Sequence, residues 1–257
     1  MSFKNPLVER WQSGGATIGA WLMGRDPVIA ESLAACGYDF VVVDQQHGMA
    51  GMSEAPGLFM AIAAGGALPA TRVRTNDTAA IGRALDLGAL AVIVPMVNTA
   101  EEAARAAAAC RYAPAGDRSI GPLRAQVVVG SANPADLERT ALILQIETAA
   151  GLSNAAAIAS TPGVDAIFIG PFDLALSMGI PVDPSRRSAA DVERHAAAIA
   201  SIRLACDSAG IAAGIYCADG AAARSYLNQG FRMVTAVTDV EALRAAAARE
   251  LGIARGR

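Results

Sequence analysis

Lysine is almost missing from this 257-residue chain: of 21 basic residues only Lys4 is a lysine, and it precedes the first apolar segment. A Schiff-base enzyme needs an amine desolvated in its pocket, neutral and nucleophilic near pH 7, and no interior lysine is there to supply one. Histidine is nearly as scarce, with only His47 and His195. The four cysteines, Cys36, Cys110, Cys206 and Cys217, form no CxxC pair and no metal-ligand spacing, which fits a reduced, cytoplasmic chain. Long apolar runs are absent as well. The uncharged stretch 55–71 is broken by Gly65, Gly66 and Pro69 and is too short to span a bilayer, and residues 1–12 lack the apolar run of a secretion signal. With a net charge of -3 there is no basic field to hold a phosphate backbone, so neither nucleic acid nor a membrane is the expected partner.

Hydrophobic residues make up 53% of the chain, enough to bury a core without disulfides. Short runs of Val, Ile and Leu alternate with Ala-rich stretches of helical period, the pattern of a parallel sheet covered by helices. Eight strands are predicted, at 17–22, 40–44, 70–74, 89–95, 142–147, 166–170, 212–217 and 233–237. Eight such units close into an α/β (β/α)8 barrel, a single domain over residues 1–257. A doubly wound open sheet is the alternative, since periodicity does not show that the first and last strands pair. Asp26-Pro27, Asn98-Thr99-Ala100-Glu101 and Thr238-Asp239-Val240-Glu241 read as helix starts, and Gly37, Gly88, Gly163 and Gly230 as helix ends. Two connections, 111–135 and 171–187, are too long for simple turns, and the first reads as a loop over one end of the barrel.

In such a barrel the site is built at the carboxyl ends of the strands, so the polar residues that end the apolar runs are the informative ones. Four runs end with unusual chemistry: Val43 leads into Asp44-Gln45-Gln46-His47-Gly48, Thr71 into Arg72-Val73-Arg74, Ile146 into Glu147, and Ile169 into Gly170-Pro171-Phe172-Asp173. Glu147 and Asp173, on neighbouring strands, bring two like charges together, which calls for a cation or a shared proton. Oxygen ligands suit Mg²⁺ or Mn²⁺ better than zinc; the alternative is that each carboxylate caps its following helix. His47 sits at the same rim, where an imidazole can accept a proton, and Asp44 and Asp86 are both candidates for the carboxylate that orients it. His195 reads as part of a solvated helix face. Arg72 and Arg74 share a strand face, and the nearer to the metal stabilises oxyanion charge, unless it is spent on an ion pair with Asp44 or Asp77. Trp21 is either core or pocket wall. The seventh and eighth strands end in Cys217-Ala218-Asp219-Gly220 and Val237-Thr238-Asp239-Val240, too acidic and too poor in glycine for a phosphate, which disfavours a phosphosugar isomerase.

Together with Gly19-Ala20-Trp21, Leu85-Asp86-Leu87-Gly88, Val94-Pro95-Met96-Val97, Tyr112-Ala113-Pro114-Ala115-Gly116-Asp117-Arg118 and Gln145-Ile146-Glu147, these segments, in this order, resemble the HpcH/HpaI family of class II pyruvate aldolases. The resemblance runs from about residue 19 to 238. It implies a barrel of the phosphoenolpyruvate/pyruvate type and a divalent ion, Mg²⁺, Mn²⁺ or Co²⁺, on Glu147 and Asp173. It further implies pyruvyl contacts from Gln145 and the backbone around Gly170, Pro171, Phe172 and Asp173, with Trp21 beside them. Arg72 matches the residue that stabilises the enolate, His47 the general base, and Asp86 a carboxylate that raises the basicity of that histidine across a subunit boundary. Family members form hexamers, trimers of dimers that exchange a C-terminal helix, which suggests a partner for residues 240–251. The chain departs from many members at Gln46, where they carry glutamate, and at Thr75 and Phe172.

The expected activity is reversible cleavage of a 4-hydroxy-2-oxo acid into pyruvate, or a related 2-oxo acid, and an aldehyde. Rival expectations are another metal-dependent lyase on the same barrel, a decarboxylase or acyl-CoA lyase, and a non-catalytic barrel that binds oxo acids.

Overall fold

A computed structural model describes residues 3–256. Eight parallel strands, β1 (Thr17–Leu22), β2 (Phe40–Asp44), β3 (Leu68–Arg72), β4 (Ala91–Val94), β5 (Ala141–Ile146), β6 (Ala166–Ile169), β7 (Ala212–Ile215) and β8 (Met233–Thr238), pair in sequence order. β1 pairs with β8, so the barrel is closed and the open-sheet alternative falls. The third, fourth and seventh strands differ most from the sequence expectation: β4 is confined to Ala91–Val94, β7 stops at Ile215, and β3 begins earlier because Pro69, facing outward, still accepts from the Leu90 N–H, and ends at Arg72.

Alternation along each strand sorts the residues into two layers. Outward-facing Leu142, Leu144, Ile146, Ile167 and Ile169 pack under the surrounding helices. Inward-facing Phe40, Val42, Ala70, Ile93, Ile143, Phe168 and Met233 fill the barrel axis. Gly19 faces inward on β1, where a Cβ would stand 2.1 Å from the Phe40 ring; only glycine lets that ring cross the axis. Leu7 and Trp11 join the same interior cluster from the helix Pro6–Gln12 and seal the amino-terminal end, with the Trp11 indole donating to Thr17 Oγ1 at 2.9 Å. A segment that reads as a polar leader is therefore the barrel floor.

Asp26 caps the helix Pro27–Ala34 and Thr99 caps Ala100–Ala109, as expected. Gly37, Gly88, Gly163 and Gly230 all take positive φ at the helix-to-strand turns. The third expected cap is different. Thr238 makes no capping bond to the helix Asp239–Ala254, because its hydroxyl pairs with the Tyr216 hydroxyl at 2.8 Å, and the Asp239 carboxylate accepts instead from the Met23 and Gly24 N–H groups. The connection 111–135, expected as a loop, contains the helix Leu123–Val129 and enters a second, Pro134–Leu137; it joins a helix to the start of β5, so it lies at the amino-terminal end of the barrel, away from the charged strand ends. None of the described helices is long and apolar enough to cross a membrane.

Candidate active site

At the carboxyl-terminal end, alternation turns Trp21, Asp44, Arg72, Gln145 and Phe168 toward the axis. They line a cavity of about 200 Å³ together with Met23, His47, Gly170, Pro171, Phe172, Asp173 and Tyr216. Its size suits a metabolite of a few carbons; clefts for drug-sized ligands run to roughly 300–1,000 Å³.

Asp44 and Arg72 are register partners on β2 and β3. The carboxylate accepts from Arg72 Nε at 3.0 Å and from Nη2 at 2.6 Å, a bidentate pair in which the Asp44 side chain is fully buried and that of Arg72 is 9% exposed. Burial alone raises a carboxylate pKa, yet Asp44 is held below the usual range because the Arg72 bonds and charge outweigh it. Asp44 Oδ1 also accepts the backbone N–H groups of Gln46 and His47, and Oδ2 that of the Trp21 indole at 3.2 Å. The guanidinium lies over the Trp21 ring, 4.9 Å from its centroid, which makes Trp21 pocket wall as well as core. Asp44 thus holds Arg72 and the loop backbone, while the ring of His47 stands in the cavity wall.

Glu147 is 2% exposed and caps no helix; Thr148 does that. Its Oε1 accepts the Met96 N–H at 2.9 Å and its Oε2 the Gln145 amide at 2.6 Å. Met96 is the only described non-glycine residue at positive φ, 57°, a strained conformation that aims its N–H at the carboxylate. Burial, reinforced by the charge of Asp173, raises the Glu147 pKa above the ordinary glutamate value. Asp173 lies in the first turn of the helix Pro171–Ser177 and is exposed. Gly170 lets the turn that leads to Asp173 pass close to Glu147: a Cβ there would meet Glu147 Oε2 at 2.6 Å and the Gln145 amide nitrogen at 2.8 Å.

These residues fit a hard divalent ion. Arg72 is spent on Asp44, neither Glu147 nor Asp173 forms a salt bridge among the described residues although each feels the other, and the Gln145 Oε1 is buried with no hydrogen-bond partner. No cluster of three or more His, Cys, Asp and Glu side chains suited to a metal occurs among the described residues. Two carboxylates would supply only part of the shell of such an ion, so positions would stay open for substrate.

Three expectations need correction. Arg74 lies beyond the end of β3 and is exposed, so it does not share the interior with Arg72. His195 is 7% exposed rather than solvated: its Nε2 meets the Pro171 carbonyl at 2.9 Å and its Nδ1 the Arg187 guanidinium at 3.2 Å. Asp86 ends the nine-residue helix Thr78–Asp86, about 14 Å long at 1.5 Å per residue, which runs from the site end of the barrel towards the floor. There it pairs with Arg118 at 2.9 Å, so it does not meet His47 of its own chain. Tyr216 was not foreseen. It meets Trp21 edge to face at 5.6 Å and Phe172 at 5.8 Å, and counting alternate residues from inward-facing Ala212 would have placed it in the wall.

Comparison with known proteins gives this geometry its relatives. The chain is 39% identical over 246 residues to the hydroxypyruvate/pyruvate aldolase of Rhizorhabdus wittichii, spanning 95% of this chain and 96% of that protein. It is 35% identical to a 4-hydroxy-2-oxo-heptane-1,7-dioate aldolase of Salmonella dublin, over 93% of this chain and 90% of that one. The crystal structure of an HpcH/HpaI aldolase/citrate lyase family protein from Burkholderia cenocepacia superposes with a TM-score of 0.86 at 30% identity, covering 98% of this chain and all of the other. The family model for HpcH/HpaI aldolase/citrate lyase matches residues 17–246, nearly the whole barrel, and the chain belongs to that family.

Proposed function

We propose that the chain is a metal-dependent aldolase that cleaves a 4-hydroxy-2-oxo acid, reversibly, into pyruvate or a related 2-oxo acid and an aldehyde. The observation that carries this reading is the Glu147–Asp173 pair, near enough for each charge to act on the other, in a chain that has no interior lysine. Glu147 and Asp173 hold the divalent ion, Mg²⁺ or Mn²⁺ by the hardness of their oxygens. The chemistry such an ion supplies is Lewis acidity toward the 2-oxo carbonyl, the electron sink that an imine provides elsewhere.

The protein's own groups do the rest. Gln145 and the backbone around Phe172 and Asp173 orient the pyruvyl portion, with Trp21 and Tyr216 as its wall. Arg72 gives Nε and one Nη2 hydrogen to Asp44 and keeps Nη1 for negative charge developing on the 2-oxo oxygen. His47 takes the proton of the 4-hydroxyl as the C3–C4 bond breaks; the aldehyde forms, and the bonding electrons remain on the 2-oxo acid fragment, which is then protonated at C3. A cavity of about 200 Å³ favours a small, CoA-free substrate.

Asp86 pairs with Arg118 away from His47 of its own chain, so a role beside His47 would need another copy, and Leu243, Leu251 and Ile253 leave apolar surface exposed on the C-terminal helix. The exposed apolar surface supports self-association, and our reading is a cytoplasmic homo-oligomer, the hexamer with exchanged helices. The test is pyruvate release from a panel of 4-hydroxy-2-oxo acids, before and after chelation and metal return. Activity lost on chelation and restored by Mg²⁺ or Mn²⁺ is expected; full turnover without metal, or with Glu147→Gln, rejects the mechanism.

A further inference from the structure

The first turn of the helix that carries Asp173 has no side-chain cap to hold it. That helix, Pro171–Ser177, starts with a proline that lacks an N–H and leaves Phe172 and Asp173 exposed. A side-chain tie comes from the 21-residue helix Ala189–Ala209, where His195 meets the Pro171 carbonyl oxygen through Nε2 at 2.9 Å.

The other ring nitrogen decides the direction of that bond. Nδ1 lies 3.2 Å from Arg187 Nη1, and a guanidinium only donates, so Nδ1 accepts and the ring hydrogen sits on Nε2, donating to Pro171. Arg187 is itself fixed, with Nε 2.7 Å from the Pro181 carbonyl and Nη2 3.2 Å from that of Val182. Burial and the Arg187 charge push the His195 pKa below the usual imidazole value, in keeping with a neutral ring of one tautomer.

We propose that His195, oriented by Arg187, is a positioning residue that fixes the Pro171–Asp173 turn and so sets where the Asp173 carboxylate stands relative to Glu147. The inference rests on the reading of Glu147 and Asp173 as the metal pair. On one side Gly170 is wedged against Glu147 and Gln145; on the other His195 grips the next carbonyl. With both held, Asp173 presents one geometry. With the His195 bond lost, the turn loses its tie to the neighbouring helix and the pair is less well preorganised.

The test is Mn²⁺ binding to the full chain without substrate, followed by the electron paramagnetic resonance signal of free Mn²⁺. His195→Leu and Arg187→Met are expected to weaken binding by about tenfold or more, the usual loss when a group that orients a ligand is removed. His195→Gln is expected to stay within about twofold of wild type, since its amide offers an N–H to Pro171 and an oxygen to Arg187. Wild-type affinity in a folded His195→Leu protein, or a loss in His195→Gln as large as in His195→Leu, overturns the proposal. Should His195→Leu fail to fold, Arg187→Met decides in the same way, because Arg187 is only partly buried. Wild-type protein that binds no Mn²⁺, or Glu147→Gln protein that binds it normally, overturns the metal reading instead.

Discussion

Asp44 holds Arg72 by two parallel hydrogen bonds across neighbouring strands, with both side chains almost entirely out of solvent. Arg72→Lys keeps the charge but loses the planar fork, and kcat is expected to fall by roughly 10²–10³, the range for removing one donor to a developing oxyanion. Steady-state kinetics on the best substrate of the panel measures it.

Asp44→Asn leaves a buried guanidinium without its counter-ion and is expected to lower stability by about 3–5 kcal/mol at pH 7. Because the folded Asp44 pKa is depressed, its contribution is complete above the ordinary aspartate range and fades as pH falls through the folded value. Urea denaturation of both proteins, at neutral pH and again in acid, should show the gap narrowing.

Glu147 has the opposite sign. Its folded pKa is raised, so the metal-free protein pays a penalty that begins near the unfolded glutamate pKa of about 4.3 and is complete above the folded one. Glu147→Gln is therefore expected to melt at a higher temperature than metal-free wild type at pH 7, to lose that advantage at low pH, and to gain nothing from added Mn²⁺. Scanning calorimetry with and without the ion distinguishes these outcomes.

Gly170→Ala places a methyl group within 2.6 Å of Glu147 Oε2. Turnover is expected to drop by at least about 100-fold, as misplacement of reacting groups by an ångström can cost. Circular dichroism should show the barrel intact, since Gly170 lies beyond the end of β6.

Burial pushes the thiols of Cys110, Cys206 and Cys217 up to about 12, whereas Cys36 is exposed. Iodoacetamide on the native protein at pH 8 is expected to modify Cys36 and none of the other three, as read by peptide mass spectrometry.

Much of this site was legible in the sequence because strand geometry is local. An apolar run with period two fixes which residues share a face, and Asp44, Arg72 and Glu147 each stand where such a run ends. Gly170 and Asp173 followed from the sixth run in the same way. Contacts between elements were not legible. His195 looks solvated on its own helix; only the fold brings Pro171 and Arg187 to its ring. Thr238 has the right spacing for a cap, but Tyr216 competes for its hydroxyl. Asp86 matched a motif, yet the direction of its helix carries it to the other rim, where Arg118 waits.

The floor built from Leu7 and Trp11 makes the barrel a blind well. Of the residues that line the cavity, Gln145 and Arg72 are buried, whereas His47 and Phe172 are open to solvent. Departure is consequently sequential: the aldehyde must vacate the opening before the 2-oxo acid beneath it can escape. In the cleavage direction pyruvate should then inhibit competitively against uncleaved substrate, and the aldehyde noncompetitively.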